Sequence, residues 1–595
     1  MKRQPSASFT SRGSTLVWLT KVLCVLGLCA EATTGRDAAK VTLGGEVGKA
    51  AAAASARFQS APFDSLPWLR ADLTGEKVSE FDDVYRHPLC RPYKQYSGDI
   101  SGRFLEIMAL NSTGDPAVHP AFKDLLAEVP EHQRPGGYFC ASGEIDWQQP
   151  LDAKDKDSPA MKVVLPALWG NARMLCGLVE VMRAFPEEAA TARSAVKLGD
   201  FYLSVLPRFT NPERMKEYER SGSYAAGYVT CWFPVMEGLV RLSRTTGEAK
   251  YLEGAKTIAE FYQRFDTIPI DHAHGMLCCQ VALLDLYEET HDASYLDRVE
   301  KRWEELVRDG YINPAGGILE KCRVSYKRRL CDEGCALADW LRLNLALGRI
   351  TGKTRYWAMA ERTLQNHYLQ NQSSQGGFGH RGALADDEGV TGLGKSNLES
   401  TWCCTYHGEL GFIELRRHLL MRADEVLTVP LVLDFTVEDP SGTVTSVLKD
   451  GPEPGTVIRQ RLSLTGQPSR VLRVRLPHWA DGVTARSGGG EAVALEIRDG
   501  WCTTTRPVSE IEFDYLGGLY GEDRRCKRLP GGPEPGKPFV IGYGPRLLAF
   551  KGKAAPRPAW PTTLEELASQ GITPLSPVHH KKDCSYVMPA DESAP

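Results

Sequence analysis

Two short elements carry the residues most able to do chemistry: Glu333-Gly334-Cys335 and, far along the chain, the adjacent pair Cys403-Cys404. One carboxylate and three thiols make a complete ligand set for Zn2+, which prefers four ligands in tetrahedral array and binds thiolate sulfur strongly. Adjacent cysteines are poor disulfide partners for one another, because the bond geometry strains the peptide between them. Metal ligation or nucleophilic duty accounts better for Cys403 and Cys404. A purely structural zinc site is the competing reading, since closed four-ligand sites are usually structural.

Residues that are adjacent or two apart cannot converge from the middle of one regular helix, so this ligand set demands loop-to-helix junctions. Asp332 is placed to cap a helix carrying Leu337, Leu341 and Leu345, which puts Glu333 and Cys335 at its first turn. Cys403 and Cys404 precede a second helix over Gly408 to Leu420, with Phe412, Leu415 and Leu419 on one face.

A weak internal repeat predicts how such helices are arranged. Thr246-Gly247-Glu248-Ala249-Lys250-Tyr251-Leu252 is echoed by Thr290 to Leu296 and by Thr351 to Trp357. Each echo separates an apolar helix that ends from one that begins. The leading helices carry Leu175/Leu178/Met182, Met236/Leu239/Leu242 and Leu337/Leu341/Leu345, and the following ones Tyr251/Ala255/Ile258, Tyr295/Val299/Trp303 and Tyr356/Ala360/Leu364. Stacked helical hairpins produce this pattern, and an α/α toroid with a central depression follows. An open solenoid fits less well, because the period is long and irregular.

The expected fold is therefore a multidomain α + β chain: a six-hairpin α/α toroid over residues 66–424, then a β-sandwich over 425–552. In the second region short alternating segments (Val426 to Phe435, Gly455 to Leu464, Arg470 to Leu476, Val493 to Ile497, Ile511 to Tyr515, Pro538 to Tyr543) are punctuated by turn residues. Residues 1–32 read as a signal peptide: Lys2, Arg3 and Lys21, the apolar run Val22 to Ala30, then small residues at Ala30 and Ala32. That run is well short of the ~20 residues a membrane span needs. Residues 33–65 read as a linker without a fixed fold, and 553–595 as a loosely held tail.

The 595 residues carry 71 basic and 75 acidic side chains for a net charge of −4, with no basic tract of the kind nucleic-acid grooves require. Neither a nucleic-acid partner nor an integral membrane span is expected, and the oligomeric state is not encoded in any motif. Among sixteen cysteines, disulfides are the default expectation in an oxidising compartment for pairs such as Cys90/Cys140 or Cys502/Cys526. Asn111-Ser112-Thr113 and Asn371-Gln372-Ser373 are glycosylation sequons.

Glu333-Gly334-Cys335 with Cys403-Cys404 resembles the Glu-Thr-Cys and Cys-Cys pattern of glycoside hydrolase family 127, the β-L-arabinofuranosidases. Further matches, in order, are His272-Ala273, Tyr311-Ile312 with Gly316-Gly317, Arg475-Leu476-Pro477-His478-Trp479-Ala480-Asp481, and Gly544-Pro545-Arg546-Leu547. The resemblance implies a retaining hydrolase acting on a non-reducing terminal L-arabinofuranoside or related sugar, and the signal peptide implies a secreted or periplasmic protein. It further implies that Cys403 is the zinc-bound thiolate nucleophile and that Glu333, Cys335 and Cys404 complete the metal shell. Physically, Zn2+ deprotonates a coordinating thiol, and three thiolates plus a carboxylate leave a net negative charge suited to an oxocarbenium-like transition state.

Within the resemblance, Glu320 is the candidate proton donor, although the following segment Lys321 to Leu330 is unusually basic. His272 and His274 are the candidate sugar contacts, while Pro234 stands where the family carries a sugar-binding histidine. Two other classes remain open. Trp402-Cys403-Cys404 with His407-Gly408 also resembles the lanthionine cyclases, whose zinc is held by two cysteines and a histidine. The third is a carbohydrate-binding protein whose zinc merely ties two helices together.

Overall fold

The computed structural model describes residues 39–76, 96–112, 119–141, 143–148, 160–213, 227–265, 272–313, 315–320, 331–382, 385–386, 389–390, 397–399, 403–450, 457–522, 540–550 and 572–574. The expected signal peptide, Cys90, Cys526, the basic segment 321–330 and most of the C-terminal tail lie outside these residues. Both expected cysteine pairings therefore include a residue outside them. Among the described residues the helices of nine or more residues are α1 (Gly45–Phe58), α2 (Leu66–Thr74), α3 (Asp99–Asn111), α4 (Pro120–His132), α5 (Leu165–Ala184), α6 (Ala189–Phe209), α7 (Val235–Thr246), α8 (Ala249–Tyr262), α9 (Ala273–Thr290), α10 (Ala293–Arg308), α11 (Gly334–Thr351), α12 (Thr354–Thr363) and α13 (Cys404–Arg417).

The odd-numbered helices from α3 onward touch in sequence, α3 to α5, α7, α9, α11 and α13, and α13 returns to α3. This closed inner ring is the toroid predicted from the repeat. The inner helices are buried around most of their circumference, as in α5 from Leu165 to Val181, whereas outer helices such as α10 bury only one stripe, Tyr295, Val299, Trp303 and Leu306. A helix apolar on all sides belongs inside and an amphipathic one outside, so the sequence assigns the two layers itself.

The repeated turn has one physical cause in all three copies. The hydroxyls of Thr246, Thr290 and Thr351 each donate to the carbonyl four residues earlier, at 2.8, 2.7 and 2.6 Å, and accept from the amide two residues later. The next residue closes the helix in the left-handed region: Gly247 at φ 75°, His291 at φ 57° and Gly352 at φ 67°. Glycine meets that requirement without a Cβ penalty; His291 meets it at a cost.

After the toroid come two stacked antiparallel sheets. Label the strands β1 (Lys40–Leu43), β2 (Cys331–Glu333), β3 (Gly379–Gly382), β4 (Asn397–Glu399), β5 (Met421–Ala423), β6 (Val426–Val429), β7 (Phe435–Asp439), β8 (Gly442–Asp450), β9 (Val457–Thr465), β10 (Val471–Arg475), β11 (Gly482–Ser487), β12 (Leu495–Arg498), β13 (Trp501–Thr504), β14 (Glu510–Leu516), β15 (Leu519–Glu522), β16 (Val540–Tyr543), β17 (Arg546–Phe550) and β18 (Ile572–Pro574). One sheet runs β1-β7-β8-β9-β14-β11 and the other β12-β13-β10-β6-β5, with the single parallel pair β6/β10 in the second. A smaller sheet, β15-β16-β17-β18, follows, so three residues of the expected tail pair with β17. The segment expected as one strand over Val426 to Phe435 is two, β6 and β7, parted at Pro430, which cannot donate to a ladder.

The sandwich is bolted to α12. Glu361 accepts from the Trp479 indole at 3.0 Å and pairs with Arg475 at 2.8 Å, all three fully buried.

The expected linker over 33–65 is corrected. β1 adds an edge strand to the sandwich with Val41 opposite Val437, and α1 packs on α13. Val47, Ala51, Ala54 and Phe58 form the buried stripe of α1. Its helical period was masked because alanine carries little hydropathy, although it is the best helix former. Arg57 closes this arm onto β4 through a bidentate buried pair with Glu399 at 2.7 and 2.8 Å. The sequon at Asn371 is also corrected: Asn371 is buried and its side chain accepts from Gly379 N, so it is closed to a glycan.

Candidate active site and metal centre

Three inner helices begin at one place. α9 starts after His272, α11 after Glu333 and α13 after Cys403, and each of these residues is the N-cap. Glu333 is delivered by a three-stranded sheet, β2-β3-β4, in which it lies opposite His380. Asp332 does not cap α11 as expected; its Oδ2 instead holds His367 Nε2 at 2.5 Å and so anchors β2. Gly334 allows the close approach, since a Cβ there would stand 2.9 Å from Phe378 Cβ and 3.2 Å from Cys404 Cβ.

As a result Glu333, Cys335, Cys403 and Cys404 bring one ligand atom each within 4.8 Å of all the others, and all four are buried. Cys335 Sγ lies 3.6 Å from Cys404 Sγ, and Cys403 Sγ lies 3.7 Å from Cys404 Sγ. Those separations are far beyond a disulfide bond and close to the ~3.8 Å edge of a tetrahedron of sulfurs ~2.3 Å from a zinc ion. Burial pushes Cys335 and Cys404 well above the ordinary thiol range, and the Cys403 thiol beside each adds to it. Without a cation these thiols stay protonated, and the donor set fits a thiophilic divalent metal.

Glu320 reaches the same place through its backbone. Asn313 and Gly317 close a turn through Gly316 (φ 86°), Leu319 bridges to Asp332, and the Glu320 carbonyl accepts from Ala273 N at 2.8 Å. Its carboxylate lies 3.7 Å from His380 Nε2 and is a quarter exposed. His272 Nε2 lies 3.5 Å from Glu333 Oε2, and its Nδ1 accepts from Gly275 N. His272 and the Glu320 backbone therefore lie beside the cluster. Pro234 precedes α7 as its N-cap and carries no hydrogen-bonding side chain.

His274 is corrected as a sugar contact. It is fully buried, with Nδ1 2.5 Å from Asp339 Oδ2 and Nε2 3.0 Å from Arg103, so neither nitrogen is available to a ligand. His407, which a Cys/Cys/His zinc shell would need, is likewise engaged with Asp339 and Arg103 at 2.7 and 2.8 Å. Sequence reasoning missed Arg103 and Asp339. The available signal was spacing: Asp339 lies one turn after Cys335, and His407 one turn after Cys403.

A profile described as the β-L-arabinofuranosidase GH127 catalytic domain matches residues 79–410, more than half of the chain. A GH127 β-arabinofuranosidase of known structure superposes with a TM-score of 0.61 at 17% identity, covering 86% of this chain and 84% of the other. The GH127 β-L-arabinofuranosidase of Geobacillus stearothermophilus T6 gives 0.57 at 14% identity, with 86% of each chain covered. A third structure, titled a glycoside hydrolase, gives 0.55 at 16% identity over 87% of this chain and 82% of that one. No curated protein matches by sequence.

Proposed function

The chain belongs to the GH127 β-L-arabinofuranosidase family, whose members are glycoside hydrolases acting on carbohydrate, and from that premise we propose that it releases a terminal L-arabinofuranose with retention of configuration. Cys403 is the nucleophile in this reading and Glu320 the acid and base. Glu333, Cys335, Cys403 and Cys404 would hold Zn2+, whose positive charge would keep the thiols deprotonated at neutral pH. Cys403 Sγ attacks the anomeric carbon while the bond to the aglycone oxygen breaks and Glu320 protonates that oxygen. Glu320 then takes a proton from water, which attacks the same carbon and frees the cysteine. His272 presents its Nε2 beside Glu333 as a donor to a sugar hydroxyl. Secretion is part of the proposal and rests on the pattern of residues 1–32.

The observation that carries the reading is the sulfur spacing of 3.6 and 3.7 Å among thiols from two different helices, with a carboxylate closing the fourth corner. The test is metal content together with hydrolysis of a panel of furanosidic and pyranosidic nitrophenyl glycosides. One zinc per chain, activity confined to furanosides, loss of hydrolysis in Cys403→Ala and a fall of about a hundredfold or more in Glu320→Gln are expected. Unchanged hydrolysis in Cys403→Ala would defeat the proposal.

A further inference from the structure

One helical turn beneath the thiols lies a closed ring of hydrogen bonds that the reaction outlined above does not use. Arg103 of α3 directs Nη1 to His407 Nδ1 at 2.8 Å and Nη2 to His274 Nε2 at 3.0 Å, while its Nε donates to Asp99 at 2.8 Å. A guanidinium only donates, so both of those ring nitrogens accept. Each imidazole must then carry its proton on the other nitrogen, where His274 Nδ1 and His407 Nε2 meet the two oxygens of Asp339 at 2.5 and 2.7 Å. The ring's own members, one guanidinium, one carboxylate and two neutral imidazoles, sum to zero charge, and Arg342 donates to Asp339 Oδ1 at 2.9 Å from outside it. Arg103, His274, Asp339 and His407 are all at most 1% exposed.

The ring's placement suggests its use. His274 follows His272 by two residues on α9, Asp339 follows Cys335 by one turn on α11, and His407 follows Cys403 by one turn on α13. Asp339 therefore ties together the three helices whose first turns carry the site, and Arg103 ties them to α3. Arg103 also interacts electrostatically with Cys335 and Cys403, whose anionic forms favour its charge. We propose that the Arg103–His274–Asp339–His407 ring is a positioning layer, which sets the spacing of the cysteines above it and holds a fixed cation against their charge. The proposal rests on reading those cysteines as a metal shell.

His274, Cys278 and Asp339 also converge closely enough to hold a second cation. The surroundings disfavour one. Arg103 and Arg342 already bond to His274 and Asp339, Arg173 Nη1 lies 3.7 Å from Cys278 Sγ, and burial holds that thiol well above its ordinary range. Three guanidiniums around one such cluster repel a dication.

The experiment is Co2+ titration of the full chain, followed through the sulfur-to-cobalt charge-transfer band and by chelator competition, alongside steady-state kinetics. His407→Leu is expected to weaken Co2+ binding about 10- to 100-fold, the range typical when a group that orients metal ligands is lost. It should lower kcat with little change in KM. His407→Gln, which keeps one donor toward Asp339 and one acceptor toward Arg103, should recover most of both. Where His407→Leu fails to fold, Arg103→Lys keeps the charge but not the fork, and is expected to shift the band and weaken binding. Wild-type affinity in His407→Leu or Arg103→Lys overturns the proposal, and so does equal loss in His407→Leu and His407→Gln, which would mark mere packing. A second bound Co2+ that Cys278→Ser removes would overturn it in favour of a cation site. A wild-type protein with no thiolate band would overturn the metal shell itself, and the layer with it, before any variant is made.

Discussion

Acidification should unfasten the ring at a pH that can be worked out. Burial lowers both His274 and His407 to about 4, against the pull of Asp339, while an unfolded histidine titrates near ~6.5. The groups facing them are Asp339, Arg103, Arg342, Cys278 and the Trp169 indole. Between pH 6.5 and 4 the unfolded chain binds more protons than the folded one, so stability rises with pH across that window. The contribution is complete above about pH 6.5 and is lost as pH falls toward 4. Asp339, held well below its ordinary range by His407 and His274 despite its burial, adds to the loss only below that window. At pH 5 each unfolded imidazole is nearly fully protonated and each folded one about a tenth, a difference of roughly 1.8 protons for the pair. The corresponding slope is about 2 kcal/mol per pH unit. Proton uptake on unfolding in guanidinium, measured potentiometrically at pH 5, should exceed that of a His274→Gln/His407→Gln double variant by nearly two. An excess below about half a proton would mean that the imidazoles titrate as in water and that the ring is not closed.

Three further substitutions test how the site is held. Arg57→Met leaves Glu399 buried without its bidentate partner, and should lower stability by about 3–5 kcal/mol, read as a fall in melting temperature that Arg57→Met/Glu399→Leu largely reverses. Gly334→Thr forces a Cβ between Phe378 and Cys404, and overpacking of about 1–3 kcal/mol should appear as weaker metal retention against a chelator as well as a lower melting temperature. Glu361→Ala strands the buried Arg475 and the Trp479 indole, and should open the toroid–sandwich junction to limited proteolysis near residue 430.

The toroid was legible because its signals are local. A threonine that bonds both ways along the chain, a left-handed residue after it and a change in helix amphipathicity recur wherever a hairpin turns. The four residues that converge as candidate ligands were legible by residue type alone, since three cysteines and a glutamate at helix starts admit few other uses. What the sequence hid is whatever depends on pairing across long separations. β2, β3 and β4 are three or four residues long and look like loop, and only the ladder reveals that Glu333 faces His380. Arg57 and Glu399 form a pair 342 residues apart, with nothing at either end to announce the other. His274 was misread because a histidine beside His272 looks like a second sugar contact. On a helix, a step of two residues turns the side chain well away from the first, into the interior.

The common origin of α9, α11 and α13 at the site bears on how an anionic cluster can exist in a buried place at all. In the proposed metal shell, three thiolates and a carboxylate around one dication would carry two net negative charges, and burying such a charge uncompensated is prohibitive. Each helix N-terminus presents unbonded amides and roughly half a positive charge, and the effect is confined to the first turn. Cys335 and Cys404 lie in those first turns, Cys403 and Glu333 are the caps, and Arg103 supplies a full cation one layer below. Three inner helices that start together thus concentrate positive potential at the site. On the proposed metal shell, moving the thiols by a single turn along their helices would leave the ligand count intact and remove the field that offsets the shell's net negative charge.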